Sequence, residues 1–416
     1  MIWANAVSFV NARVVTPGMD TPVAASIRFS SRVLSIGGRP KPHDTIVDLR
    51  GAIVLPGLIN AHDHLELNHY GRLKGRDRYE NASAWIDDMR PRLTADPAIR
   101  RDRAQPLVER LFIGSLKNLL AGVTTVAHHN PFYPEMRRTM AVRVVRRYGW
   151  AHSFLLERQP AGARGEPGGD VAHRSRATPP DVPFVLHLAE GTDDEARGEL
   201  PRLEALGCLK PNTVIVHGVA IDGDGWRRVA RAGAGLVWCP ASNDFLFGRS
   251  VPVRSLLDED ERSRGNGDCG RVNVALGTDS RVTGSRDLLD ELRAARDAAP
   301  VSAAELLRMV TTSAAALLRQ PRSGRLTVGG PADLLVIPPF DDEPAAALLK
   351  TARRDVRLVT VGGRPIVGDP DLAAVFRARR VKLRPICVDA APKLADSGLV
   401  RRLAGCPIVE PGVTAV

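Results

Sequence analysis

The stretch Pro56-Gly57-Leu58-Ile59-Asn60-Ala61-His62-Asp63-His64-Leu65 decides how the rest of this chain is read. An apolar run from Ile53 to Ile59 leads into two histidines two positions apart, and on a β-strand residues i and i+2 share a face. Both imidazoles then point the same way. If this is the first strand of a β/α barrel, its C-terminal end opens on the face where barrel enzymes carry their chemistry. Two neutral imidazoles make a start on a zinc or iron site, which needs further ligands from elsewhere in the chain. By itself the pair is weak evidence: in a chain with ten histidines, it fits a strand with two half-buried rings about as well.

Outward from this stretch, residues 6 to 55 alternate β-rich runs with turns: Val7 to Val15, Ala25 to Ile36 and Thr45 to Leu55. Downstream, Asn68 to Asn81 is a polar loop with Arg72, Lys74, Arg76 and Arg78 at alternate positions. Residues 98 to 121 carry leucines at helical spacing, and Val123 to Ala127 is a β-branched strand running into His128-His129-Asn130. A helix over Glu135 to Tyr148 and a strand over Trp150 to Leu156 are expected next. Residues 158 to 182 are rich in Arg, Gly and Pro and show no periodicity. The strand pattern resumes at Phe184 to Leu188, Thr213 to His217, Gly235 to Cys239 and Val272 to Asp279, with helical stretches such as Asp193 to Leu206 and Gly223 to Ala232 between them. This βα rhythm implies a parallel sheet. Two more helices, Asp287 to Ala298 and Ser302 to Leu318, precede a return to short strands from Gly324 to Val367.

The expected architecture is therefore α/β: a (β/α)8 TIM-like barrel over 56–323, with a small β-sandwich built from both termini, 1–55 and 324–375. Residues 376–416 are left as a basic tail without an assigned role.

Composition narrows the function classes. The chain has 416 residues, 44% hydrophobic and 25% charged, the profile of a globular protein with a large core. No run reaches the roughly 18 apolar residues of a membrane span, and the N-terminus lacks a basic region followed by an apolar one; no membrane partner and a cytoplasmic location are expected. The formal charge is +11, but 51 of the 58 basic residues are arginine, scattered along the chain with no nucleic-acid motif. A nucleic-acid partner is not expected. Cys208, Cys239, Cys269, Cys387 and Cys406 show no C-x-x-C spacing, so any metal should be held by His and carboxylate.

Further polar residues fall at the ends of apolar strands: His187 with Glu190 in His-Leu-Ala-Glu, His217 in Val-Ile-Val-His-Gly, and Asp279 in Leu-Gly-Thr-Asp-Ser. Each alone has a bland reading as a core or loop residue. Their recurrence in strand after strand makes coincidence a poor account.

With these motifs, and with Gly-Val-Thr-Thr-Val, Trp-Cys-Pro-Ala-Ser-Asn and the later Gly-Gly-Pro-Ala-Asp-Leu-Leu-Val, the chain resembles the amidohydrolase superfamily, in its metal-dependent deaminase and chlorohydrolase branch. The resemblance runs from Val7 to about Val367. It implies that His62, His64, His187 and Asp279 hold one divalent metal per chain, zinc ahead of iron, and that Glu190 and His217 act on the substrate. Three imidazoles and a carboxylate leave room for a water whose pKa a bound metal can lower to ~7. Asp279 would take a proton as that hydroxide attacks, Glu190 would deliver one to the substrate, and His217 would polarise the atom that gains charge. Arg72, His129, Asn130 and Asn243 are candidate substrate contacts, with Glu157 a further pocket residue. No lysine lies between Lys117 and Lys210, so the carboxylated lysine that bridges two metals in the family has no source in the third and fourth strands.

The function this implies is hydrolytic deamination of an amino-substituted nitrogen heterocycle, a small-molecule substrate, with ammonia as product. The same site would also serve hydrolysis of a cyclic amide or a carbon-halogen bond, and an inactive amidohydrolase-like scaffold is a third reading. A homo-oligomer is plausible by resemblance alone. One departure stands out: between Thr125 and His187 there is room for little more than a helix and a strand, so one βα unit is shortened or missing, or 158–182 supplies a strand without a readable pattern.

Overall fold

A computed structural model describes residues 6–16, 23–154, 171–258 and 271–415. Eight parallel strands surround the histidines: β1 Leu58–Asp63, β2 Val123–His128, β3 Arg143–Val144, β4 Gly149–Trp150, β5 Phe184–Leu188, β6 Thr213–His217, β7 Gly235–Trp238 and β8 Asn273–Leu276. Their hydrogen bonding falls into a sheet of β1 to β3 and a sheet of β4 to β8, leaving two seams, β8/β1 and β3/β4. Alternation along each strand sets the layers. Val214 and Val216 face inward with Ile59, Ala61, Val185, Val237 and Ala275, while Ile215 and Leu236 face the surrounding helices.

The shortening expected between Thr125 and His187 lies at β3 and β4. The helix expected over Glu135 to Tyr148 does not form. A single 3-10 turn at Pro134–Arg137 leads to β3, and only four residues separate β3 from β4. A crossover helix needs a dozen residues or more. Val144 in this strand and Val142 and Val145 beside it are buried, and the arginine pairs Arg137-Arg138 and Arg146-Arg147 flank them. Of the strand expected over Trp150 to Leu156, the described residues, which here stop at 154, place only Trp150 in a strand, Gly149–Trp150. In 158–182 the described part holds a helix, Val171–Ala177, and no strand; Glu157 and Cys269 lie outside the described residues.

Two expected helices are each broken in two. The first splits into Pro97–Arg103 and Leu107–Leu120, because Pro106 cannot donate a backbone hydrogen bond in a helix interior. The second splits into Ala303–Met309, opened by a Ser302/Glu305 capping box, and Thr312–Leu317.

Both ends of the chain enter one eleven-stranded sheet. Ile53–Pro56 joins the two ends: it runs parallel to Val7–Val14 and antiparallel to Leu334–Ile337. The small β-domain expected from both termini is built as one continuous hydrogen-bonded sheet around a core of Val7, Phe9, Ile27, Phe29, Leu334 and Phe376. Residues 376–416, expected as a tail, contribute the strands Leu383–Val388, Ala391–Asp396 and Val413–Ala415 and the helix Ser397–Ala404. The basic residues of this segment therefore decorate folded elements. Among the described residues no helix is long and apolar enough to cross a membrane.

Candidate metal centre

His62 and His64 stand at the C-terminal end of β1 with both rings turned to one point, where His187 of β5 meets them. The Nε2 atom of His187 lies 3.3 Å from that of His62 and 3.4 Å from that of His64. Zinc–nitrogen bonds of about 2.0–2.1 Å in a tetrahedron put ligand atoms ~3.3 Å apart. The histidine spacing therefore matches that of ligands sharing one metal. Asp279 Oδ1 approaches from the end of β8, 3.9 Å from His62 Nε2 and 3.7 Å from His64 Nε2.

The tautomer at His187 suits metal binding. Its Nδ1 lies 2.8 Å from the carbonyl of His152; a proton there leaves the Nε2 lone pair facing the cluster. Burial, with the neighbouring rings of His129, His152 and His62, pushes the basicity of His187 well down, and burial does the same for His62. Neutral imidazoles are the form a metal ligates. Asp279 is held low: burial opposes its ionisation, but the fields of His64, His62 and His217 and a hydrogen bond from Thr283 outweigh it. Its Oδ2 accepts from Ser242 Oγ at 2.9 Å and Thr283 Oγ1 at 2.8 Å, and its Oδ1 from the Ser280 amide at 2.7 Å. Gly277 lets β8 come this close, since a Cβ there would meet His62 Cβ at 2.7 Å.

Glu190 and His217 form the second half of the site. Glu190 Oε1 lies 3.5 Å from His217 Nε2, and His217 Nδ1 lies 2.8 Å from Asn243 Oδ1, which fixes a proton on Nδ1. Burial raises the Glu190 carboxyl against the opposing field of His217. Glu199 supports the turn that carries Glu190: its Oε2 accepts from the Ala189 amide at 2.6 Å. Ala189, His217 and Asp279 all have positive φ, 53°, 71° and 51°, a backbone strain that collects at functional positions.

Behind β1 lies a buried polar network with no exposed member. Lys117 Nζ, on the helix Leu107–Leu120, is 3.2 Å from Asp63 Oδ2 and donates to Asn68 Oδ1 at 2.7 Å and Thr278 Oγ1 at 3.2 Å. Asn60 donates to Thr278 Oγ1 at 2.8 Å and Asn118 donates to Asp63 Oδ2 at 2.7 Å. This network sets the spacing of the residues that flank the three histidines.

The candidate substrate contacts are placed unevenly. His129 is buried, its ring 4.2 Å from that of His187 and its Nε2 3.1 Å from the carbonyl of Ala151; His128 packs against Glu66. The Asn130 amide is 3.4 Å from His64 Nδ1 and also bonds Glu66. Asn243 orients His217. Arg72 is exposed, donates to the carbonyl of Gly284 at 3.1 Å and sits 4.9 Å over the Phe245 ring; Arg76 is paired with Glu80. The basic loop is thus held to the protein by its own cations. His152 went unnoticed in the sequence: its carbonyl orients His187, its ring lies 4.7 Å from that ring, and burial lowers its pKa to about 3. An isolated histidine just past a two-residue strand carries no local signal.

Comparison with known proteins agrees with this arrangement. Residues 161–366 match the model of the amidohydrolase family. A 5-methylthioadenosine/S-adenosylhomocysteine deaminase of Haloarcula marismortui is 30% identical over 71% of this chain and 74% of its own length. One of the same name from Natronomonas pharaonis is 27% identical over 88% and 94%. Among solved structures, a triazine hydrolase from Arthobacter aurescens superposes with a TM-score of 0.66 at 22% identity, covering 90% of this chain and 99% of that one. An adenosine deaminase from Xanthomonas campestris with bound zinc gives 0.62 at 20%, covering 90% and 97%. In this chain the cluster of His62, His64 and His187 is a site for a divalent metal, and the chain belongs to the amidohydrolase family, among its deaminases, which are hydrolases acting on carbon-nitrogen bonds other than peptide bonds.

Proposed function

We propose that this protein hydrolytically removes the exocyclic amino group of an amino-substituted nitrogen heterocycle, an adenine-type ring being the first choice on the names its relatives carry. The observation that carries the reading is the placement of the Glu190–His217 pair beside the His62, His64, His187 and Asp279 cluster. One metal per chain, zinc ahead of iron, fits the 3.3–3.4 Å histidine spacing. The lack of a lysine on β3 or β4, and the engagement of Lys117 by Asp63, support a single ion. When bound, that ion supplies a Lewis acid that makes water nucleophilic near neutral pH.

The residues then divide the proton traffic. Asp279 accepts a proton from the attacking water as the new C–O bond forms; Ser242 and Thr283 hold the carboxylate so that one oxygen faces the reacting centre. Glu190 carries the proton meant for the substrate, with its Oε1 3.5 Å from His217 Nε2, while Nδ1 of His217 is committed to Asn243. That proton goes to the ring nitrogen beside the carbon under attack, which drains the charge that develops there. Departure of the amino group as ammonia breaks the C–N bond and uses the proton stored on Asp279. The product keeps the water oxygen as a carbonyl, and the last hydrogen of that oxygen passes to Glu190, which restores the proton it gave to the ring nitrogen.

Ammonia release is the test, with metal-replete protein and a panel of 5′-methylthioadenosine, S-adenosylhomocysteine, adenosine, aminopyrimidines and aminotriazines, and Glu190→Gln alongside. The expected result is ammonia from an adenine-bearing compound, falling by about 10²–10⁴ in the variant. Silence across the panel from protein that holds its metal would replace deamination with hydrolysis of a cyclic amide or a carbon-halogen bond.

A further inference from the structure

The shortened segment leaves a cavity of about 480 Å³ beside β2 and β3, lined in part by Arg137, Arg138, Arg143, Arg146 and Arg147, and by Thr125 of β2. Pockets for small molecules run ~300–1,000 Å³. Five of its lining residues are arginines and none is acidic. Arg143 is paired with Asp333, and Arg147 with Asp181 at 2.8 Å. Arg137, Arg138 and Arg146 have no carboxylate partner among the described residues, and the Arg146 guanidinium lies 5.8 Å from the Phe132 ring.

A second observation points inward. Thr125 is 3% exposed, and its Oγ1 is buried with no hydrogen-bond partner. A buried hydroxyl without a partner carries a desolvation cost that a bound acceptor would relieve. The place is distinct from the metal centre. Thr125 pairs with Ile59 in the lower half of the strands and stands four residues before His129, ~13 Å back along the chain. Gln320 and Ser323, beyond the helix Thr312–Leu317, line the same cavity. Its wall at Val145 also bounds the small space beneath His62 and His129.

We infer that this cavity is a second ligand site, and that it takes a small organic phosphate. Guanidinium forks match phosphate oxygens two at a time, and several around one volume fit a dianion better than a single carboxylate. Thr125, a lining residue whose hydroxyl has no partner, adds a donor from β2. A pocket of this volume suits a sugar phosphate in size, whereas a polymer would need a long groove.

Calorimetric titration of the full, metal-replete chain with ribose 5-phosphate, with ribose and inorganic phosphate as companions, tests this. The expected result is saturable binding of one ribose 5-phosphate per chain, weakened by added salt, with ribose silent. The combined variant Arg137→Ser, Arg138→Ser, Arg146→Ser should bind at least about tenfold more weakly with an unchanged melting temperature, since all three residues are exposed. Thr125→Val should weaken binding several-fold, and Glu190→Gln should leave it as it is. Equal binding of inorganic phosphate would assign the site to the free anion. Unsaturable binding, or saturable binding that the triple variant or Thr125→Val leaves intact, would overturn the inference; so would loss in Glu190→Gln, which would place the ligand at the metal centre.

Discussion

Where β8 meets β1, side chains and a single backbone bond stand in for the missing sheet hydrogen bonds. The Asn60 side chain spans to Thr278, the Asp279 amide reaches the carbonyl of His62 at 3.2 Å, and Lys117 lies behind both strands. Where β3 should meet β4, the strands are two residues long, an arginine-lined cavity lies alongside, and among the described residues the side-chain links sit only at the upper end, from His129 to the carbonyl of Ala151 and from Tyr148 to that of Asn130. The difference teaches where the barrel tolerates loss. The β8/β1 seam carries three of the four candidate ligands, so its geometry is fixed by buried, fully engaged polar groups. The β3/β4 seam carries none, and a crossover helix can be absent from it while His187, on the neighbouring strand, keeps its place.

The largest effect that would sharpen this contrast is at the ligands. His187→Ala should lose bound metal on dialysis and reduce ammonia release by about 10³-fold or more, a metal-dependent nucleophile being worth several kcal/mol. Retention of one equivalent of metal, measured by atomic emission, would remove His187 from the ligand set.

Next is the contrast in stability. Lys117→Met leaves Asp63 buried and unpaired, an arrangement that costs about 3–5 kcal/mol. Arg146→Ser on the open seam should stay within about 0.5 kcal/mol. Urea unfolding of the two variants reads the difference, and equal losses would break the comparison. Burial lowers the pKa of Lys117 against the field of Asp63, so Lys117→Arg, too large for the site, should not rescue.

The smallest effect is a slope. Burial raises Glu199 to about 7 from 4.5, so between those values the folded state holds a proton that the unfolded chain has released. Stability therefore falls as pH rises through this window, and is fully present only below the unfolded pKa. Glu199→Gln should flatten that part of the stability profile measured from pH 4.5 to 7; an unchanged slope would assign it to other groups, Glu291 being raised similarly.

The legible parts of the sequence were those with strong periodicity or a strand-end signal. His62, His64, His187, Glu190, His217 and Asp279 each follow a buried β run, and the structure gathers all six. The helix expected over Glu135 to Tyr148 does not form, because the charge pairs Arg137-Arg138 and Arg146-Arg147 fit a solvated helix face and a short strand with its turns equally well, and the length available decides between them. Lys117 and Asn118 were hidden inside a helix read only for its leucines. His152 gave no pattern at all. The folding of 376–416 was missed because its contacts are distant in sequence.

That last segment ends in an ion cluster whose consequence concerns the order of assembly. Glu410 is buried and accepts from Arg281 at 2.8 and 2.7 Å and from Arg353 at 2.6 Å, which ties it to the loop just after Asp279. Arg281 and Glu410 are 129 residues apart, and a closure of that span comes late, after local helices and strands have formed. During synthesis, the barrel can emerge and fold while the loop beyond Asp279 still lacks its anchor. The loop beyond Asp279 therefore gains this anchor only once residue 410 has been made, after every strand of the barrel has left the ribosome.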